Sequence, residues 1–103
     1  MGTDYSVYIE KGVIAEKFKC ALKNTTDWSD FVFEKNYPLA TLNEVEAFIE
    51  KNHHLPGVPS AEEVVCNGID MAKMDAKLLE KIEELTLYVL KQQKEIDLLK
   101  AKK

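Results

Sequence analysis

The sequence contains no arginine: all 14 basic residues are lysines, and the net charge is −4. Arginine is the side chain that most often binds phosphate or guanine through two hydrogen bonds at once. An acidic chain that lacks it is poorly suited to a polyanion, so we expect no nucleic-acid partner. No apolar run approaches the ~20 residues of a membrane span, so we expect no membrane span either.

Cysteine is scarce, and the metal-binding motifs built from it are missing. Cys20 and Cys66 lie far apart and form no CxxC pair. Two cysteines do not make a disulfide framework, and the sequence leaves their redox state open. His53 and His54 are adjacent, so they point in different directions in regular structure, whereas a zinc site needs three or four ligands. We therefore expect no metal and no other cofactor.

The motifs of the common enzyme classes are also missing. There is no glycine-rich phosphate loop, no HExxH and no nucleophile elbow. The serines, Ser6, Ser29 and Ser60, stand in no recognisable nucleophile setting. The carboxylates are spread over predicted helix faces and do not converge on one point. We expect a protein that is not an enzyme.

Apolar residues make up 46% of the chain, which is enough for a folded core. Apolar and polar residues alternate over 5–22, a period of two that predicts one or two β-strands. We take 1–27 as a β-strand segment that must pair with the rest of the chain or with other chains. The apolar run 31–33 is expected to be extended and buried, with Trp28 packed beneath the helices that follow.

Residues 28–69, called the cap below, predict two short helices. Thr41 with Glu44, and Ser60 with Glu63, each fit a capping box, which marks a helix start. Between them lies NHHLPGVPS, where two prolines prevent either helix from continuing and a glycine permits a turn. A metal site and a PxxP ligand are the alternatives to this stiff corner. The predicted corner residues are His54, Pro56, Gly57, Pro59 and Ser60.

Residues 70–103 predict one long helix that Asp70 can cap and that contains neither glycine nor proline after its start. Seven positions on it are spaced alternately four and three apart, which is the heptad pattern of a coiled coil. β-branched residues at heptad position a, with Leu at position d, favour a dimer. Leu79 and Tyr88 widen the apolar face of the helix and favour a trimer. These seven positions, called the seam, are Leu78, Ile82, Leu85, Val89, Gln92, Ile96 and Leu99.

Several phrases resemble a known module. They are DFVFEKNY (30–37), LNEVEAFI (42–49), HLPGVPSAEEV (54–64), NGIDMAKM (67–74) and KLLEKIEELTLYVL (77–90). Together they are similar to the C-terminal module of tail-fibre-like surface proteins from Bacteroidetes and their phages. The resemblance implies an end piece of a long, repetitive, trimeric β-fibre, located on a virion or a cell surface, with 1–27 as the segment that continues the fibre.

The residues and the resemblance together predict an α+β chain: N-terminal strands, a small helical cap over 28–69, and a helix over 70–103 in a parallel coiled coil. We expect a homotrimer, with a homodimer as the alternative, that serves as a non-enzymatic trimerisation and capping module. A fibre tip that binds a host receptor or glycan is a second interpretation. Its candidate aromatic residues are Trp28, Tyr5, Tyr8 and Tyr37. A monomeric helical adaptor is the third.

Overall fold

The computed structural model describes residues 5–25 and 28–102. Its elements, in chain order, are a 3-10 turn at Phe31–Phe33, α1 at Leu42–Asn52, α2 at Ala61–Asn67 and α3 at Met71–Ala101. Neither described range contains a β-strand, so the expected α+β class is wrong and the fold is all helical. The predicted boundary at residue 27 lies outside the described residues.

The N-terminal strands that we expected are absent from residues 5–25. Residues 5–24 run without regular structure, and every residue of 5–25 is exposed. Alternating apolar residues make a strand only where a second strand accepts its backbone N–H and C=O groups. The described part of this chain offers no such partner. The start of the segment contacts the N-terminus of α3, where the Tyr5 hydroxyl donates to the Asp70 carboxylate at 3.2 Å.

Capping boxes fix the starts of α1 and α2, as the sequence predicts. The Thr41 hydroxyl accepts from the Glu44 N–H at 3.1 Å, and the Glu44 carboxylate accepts from the Thr41 N–H at 3.2 Å. Ser60 and Glu63 repeat the arrangement at 3.2 and 3.0 Å. Each box satisfies two N–H groups that a helix start otherwise leaves unpaired.

The corner between α1 and α2 is a tight turn. The Val58 N–H donates to the Leu55 carbonyl at 3.2 Å, with Pro56 and Gly57 in the middle and Gly57 at φ 77°. Proline at the second position and a left-handed glycine at the third are typical of a type II turn. The turn reverses the chain so that α2 starts beside the end of α1.

His53 ends α1 in a left-handed conformation, with φ 61° and ψ 25°, and its N–H donates to the Ile49 carbonyl at 2.8 Å. This position is the one that glycine usually takes after a helix, since a Cβ makes the conformation unfavourable. His53 therefore has a backbone role, and the chain accepts strain there.

The 3-10 turn carries the contact between the cap and α3. Val32 is 1% exposed and is the one buried hydrophobic residue in the described part of the chain, whereas Phe31 and Phe33 are exposed. The 31–33 run is therefore not extended as expected, and of its three side chains only Val32 is buried. A 3-10 turn points its three side chains in different directions, so they are not all buried together.

α3 is the dominant element of the fold. Its 31 residues span about 46 Å at 1.5 Å per residue. The Asp70 carboxylate caps it by accepting from the Lys73 N–H at 3.0 Å, as predicted. The cap lies along the N-terminal half of this helix, so the C-terminal half extends beyond it.

Replacing His53 with glycine should stabilise the protein by about 0.5–1 kcal/mol, because glycine adopts the left-handed conformation without a Cβ clash. His53→Val should destabilise it, since β-branched residues tolerate this conformation least. Urea denaturation of the three proteins at neutral pH measures both effects. Equal stability of the glycine and valine variants would contradict the strain at this position.

Candidate functional site

One side of α3 receives the cap through polar contacts. The Ser29 hydroxyl donates to the Ala76 carbonyl, and the Asp30 N–H donates to the Glu83 carboxylate at 3.2 Å. Glu80 and Glu83 are only 9% and 6% exposed, and Ser29 is buried with them. Asp30 holds φ at 101°, an uncommon value for a residue other than glycine. The acidic side of α3 is therefore the side that faces its own chain.

Two lysines neutralise the buried acidic side. Lys77 contacts the Glu80 carboxylate at 3.1 Å, and Lys81 contacts Glu84 at 3.1 Å and Glu80 at 3.8 Å. A buried carboxylate is costly unless it is paired and hydrogen-bonded, and these contacts satisfy that condition. Sequence reasoning missed the pairing of Glu80 and Glu84, although a lysine stands three residues before each of them.

Two tyrosines tie the middle of the cap to α3. The Tyr37 hydroxyl donates to the Glu84 carboxylate, and the Tyr88 hydroxyl donates to the Ala40 carbonyl. Partial burial, then the hydrogen bond to Glu84 and the nearby negative charges, raise the pKa of Tyr37 well above its usual value. Partial burial also raises the pKa of Tyr88.

The seam lies on the other side of α3. Successive helix residues are about 100° apart, so Ile82, Leu85 and Val89 lie roughly 140–180° from Glu80. All seven seam residues are exposed, and its six apolar members are between 45% and 63% exposed. A helix of a monomeric domain normally buries its apolar side, whereas α3 buries its carboxylates and leaves the apolar side open. The predicted oligomerisation residues therefore lie together on one accessible surface.

The surface of the whole chain is large for its mass. It measures 9,559 Å², whereas a compact monomer of 11.8 kDa exposes roughly 5,900 Å². The radius of gyration is 18.4 Å against about 13 Å for a compact domain of this length. The exposed segment 5–25 and the open apolar side of α3 both contribute to this excess.

His54, one of the predicted corner residues, makes its contacts within its own chain. His54 Nδ1 lies 2.9 Å from the Leu55 carbonyl, and its ring meets the Phe48 ring edge-on with centroids 5.5 Å apart. Among residues 5–25 and 28–102, no three His, Cys, Asp or Glu side chains are placed to hold a metal ion. Cys20 and Cys66 are both free and exposed.

Trp28 does not pack beneath the helices as we expected. Its side chain is 38% exposed and lines a shallow depression of about 320 Å³ on the acidic side of α3. The other lining residues are Ser29, Phe31, Lys73, Ala76, Lys77 and Glu80. The depression thus presents one aromatic face beside charged side chains.

No family model, curated protein or solved structure matches the chain. In the part of the chain that the structure describes, no helix is both long enough and apolar enough to cross a membrane.

Replacing Glu83 with alanine should destabilise the protein by about 1–3 kcal/mol, because the Asp30 N–H would lose its acceptor at a site that water reaches poorly. Glu83→Gln keeps an oxygen acceptor and should cost much less. Glu46→Ala, on the exposed face of α1, is the matched control and should have little effect. Chemical denaturation compares the four proteins, and equal losses for alanine and glutamine would contradict the role of the acceptor.

Tyr37 should make the protein sensitive to alkali. Because its pKa is raised in the folded state, the unfolded chain releases the phenolic proton first, from pH about 10 upward. Stability is complete below that pH and falls as the pH rises further. Tyr37→Phe should show a shallower fall when urea midpoints are compared between neutral and alkaline pH. Identical slopes in the two proteins would contradict the assignment.

Proposed function

We propose that this chain is a non-enzymatic module that brings copies of itself together through the seam of α3. The observation that carries the proposal is the inverted polarity of that helix, with carboxylates buried against the cap and six apolar seam residues exposed. Exposed apolar area of this kind is removed from water when copies associate, at about 25 cal/mol per Å². A monomeric adaptor would leave the same area in water.

A trimer accommodates this surface better than a dimer. In a dimer each helix buries one narrow stripe, whereas in a trimer each helix touches two neighbours and buries a wider arc. The exposed apolar arc extends past the seam to Leu90, at heptad position b. The β-branched residues at a, Ile82 and Val89, favour two helices, so the homodimer is the alternative.

The resemblance to the end module of tail-fibre-like surface proteins supports the same role. An end piece that joins three copies would hold the chains of such a fibre together and set their register. Gln92, as a polar layer in the seam, is suited to fixing that register at a cost in stability. This assigns the module to a virion or cell surface.

A fibre tip that binds a glycan or host receptor is a second candidate, and Trp28 is the observation that favours it. A partly exposed indole beside charged side chains suits a sugar ring, whose apolar face stacks on the aromatic ring while its hydroxyls bond the polar groups. Tyr5 and Tyr8 lie in the exposed N-terminal segment.

Replacing Ile82 with lysine should dissociate the assembly, because the layer would hold like charges around one axis away from water. The parent should melt at a lower temperature on dilution, since binding between folded copies stabilises by mass action. The variant should lose this dependence and should have the mass of one chain by light scattering. Val65→Lys, an exposed apolar position on α2, is the matched control and should keep the parent mass. A parent melting temperature that is unchanged across dilution would contradict the proposal.

Replacing Trp28 with alanine tests the second candidate. On a glycan array, the parent should bind at least one glycan and the alanine variant should bind none. Phe33→Ala, an exposed aromatic of the same turn, should retain the binding. Absence of binding by the parent, or its persistence in Trp28→Ala, would remove the glycan-tip interpretation and leave the seam untouched.

A further inference from the structure

An apolar groove lies beside the seam, between the cap and α3. Its volume is about 260 Å³. The cap contributes its outer wall, and α3 contributes its floor, which includes Leu85 of the seam. The groove is lined chiefly by Leu42, Val45, Leu55, Pro56, Leu85 and Tyr88. Leu42 and Leu55 remain exposed although they are large and apolar. The groove is thus continuous with the proposed oligomerisation surface.

The heptad positions define the side of α3 on which the groove lies. With Ile82 and Val89 at a, Lys81 and Tyr88 occupy position g, and both line the groove. The opposite flank of the helix carries positions e and b, and the cap covers this flank only at Glu83, two turns before Leu90. Leu90, at b, is 53% exposed, and it belongs to neither the seam nor the contact with the cap. Each copy therefore has a groove on one flank and an exposed leucine on the other.

Three-fold symmetry brings these two flanks together. A rotation about an axis along the helices cannot reverse their direction, so a symmetric trimer of α3 is parallel. In parallel coiled coils the g flank of one helix faces the e flank of the next. Glu95 at g and Lys100 at e are then complementary across each of these contacts. On the neighbouring helix, position b lies outside position e, on the side nearer the cap. At the level of Tyr88, the residue at position b of the neighbour is Leu90.

We propose that the groove is a docking site for the neighbouring copy, which inserts Leu90 between Leu42 and Tyr88. The site is incomplete in a single chain, because one copy supplies the groove and the next supplies the leucine. This proposal rests on the trimer proposed above. It adds a contact, called the clasp below, in which Leu42 and Tyr88 of one copy hold Leu90 of its neighbour. The clasp explains why the groove opens on the g flank and why an apolar residue stands outside the seam.

Disulfide trapping tests the clasp directly. The background carries Cys20→Ser and Cys66→Ser, since both native thiols are free and exposed. Leu42→Cys and Leu90→Cys are then combined in one chain, where they lie on opposite flanks of α3 and cannot link to each other. Mild oxidation should give covalent dimers and trimers that reductant reverses, and neither single variant should give a covalent trimer.

A seam variant separates failure of the clasp from failure of the trimer. Gln92→Cys, in the same background, should link pairs of chains through the centre of the assembly. Linking at Gln92 without linking between Leu42 and Leu90 would overturn the clasp and leave the oligomer. If neither the Gln92 link nor the link between Leu42 and Leu90 forms, the clasp and the proposed function are overturned together. A link between Leu42 and Leu90 of the same chain would overturn the clasp.

A second measurement needs no engineered thiol. Leu90→Lys should weaken association between copies at least tenfold. At concentrations where the variant is still assembled, circular dichroism should show the same helix content as for the parent. Leu98→Lys is the matched control, because Leu98 is similarly exposed but lies beyond the groove at position c. Equal association of Leu90→Lys and the parent would overturn the clasp.

Discussion

The cap of this chain lies on the acidic side of α3, where the Asp30 N–H bonds Glu83 and two lysines pair with Glu80 and Glu84. Carboxylates that are paired in this way can be buried, and their burial determines which side of the helix the cap covers. The apolar side of α3 then faces away from the cap along the whole helix. The proposals for the seam and for the clasp both follow from that orientation.

The same orientation leaves the single chain with little core. Val32 is its one buried hydrophobic residue within the described ranges, and most of the cap's hold on α3 is polar. Net stability is a small difference between burial and conformational entropy, so a chain that buries this little depends on further burial. In the proposed assembly, association through the seam would supply it, and the clasp would add the exposed leucines of the cap. Folding and assembly would then be coupled, as in obligate oligomers.

Local signals predicted the helices well. Thr41, Ser60 and Asp70 each cap a helix as their spacing indicates, because capping depends on a few neighbouring residues. The strands over 5–22 were wrong, since alternation describes one segment and a strand needs a second. The partial exposure of Trp28 and the burial of Glu83 were not predictable, because both depend on residues about 50 positions away in the chain. The heptad pattern identified the seam, and only the fold could place it opposite the cap.

Sedimentation equilibrium over a wide concentration range tests the central claim most directly. The account predicts a species of three times the 11.8 kDa chain mass that dissociates on dilution. A species of twice that mass would keep the seam and remove the trimer. A single species of 11.8 kDa at every concentration would contradict the account.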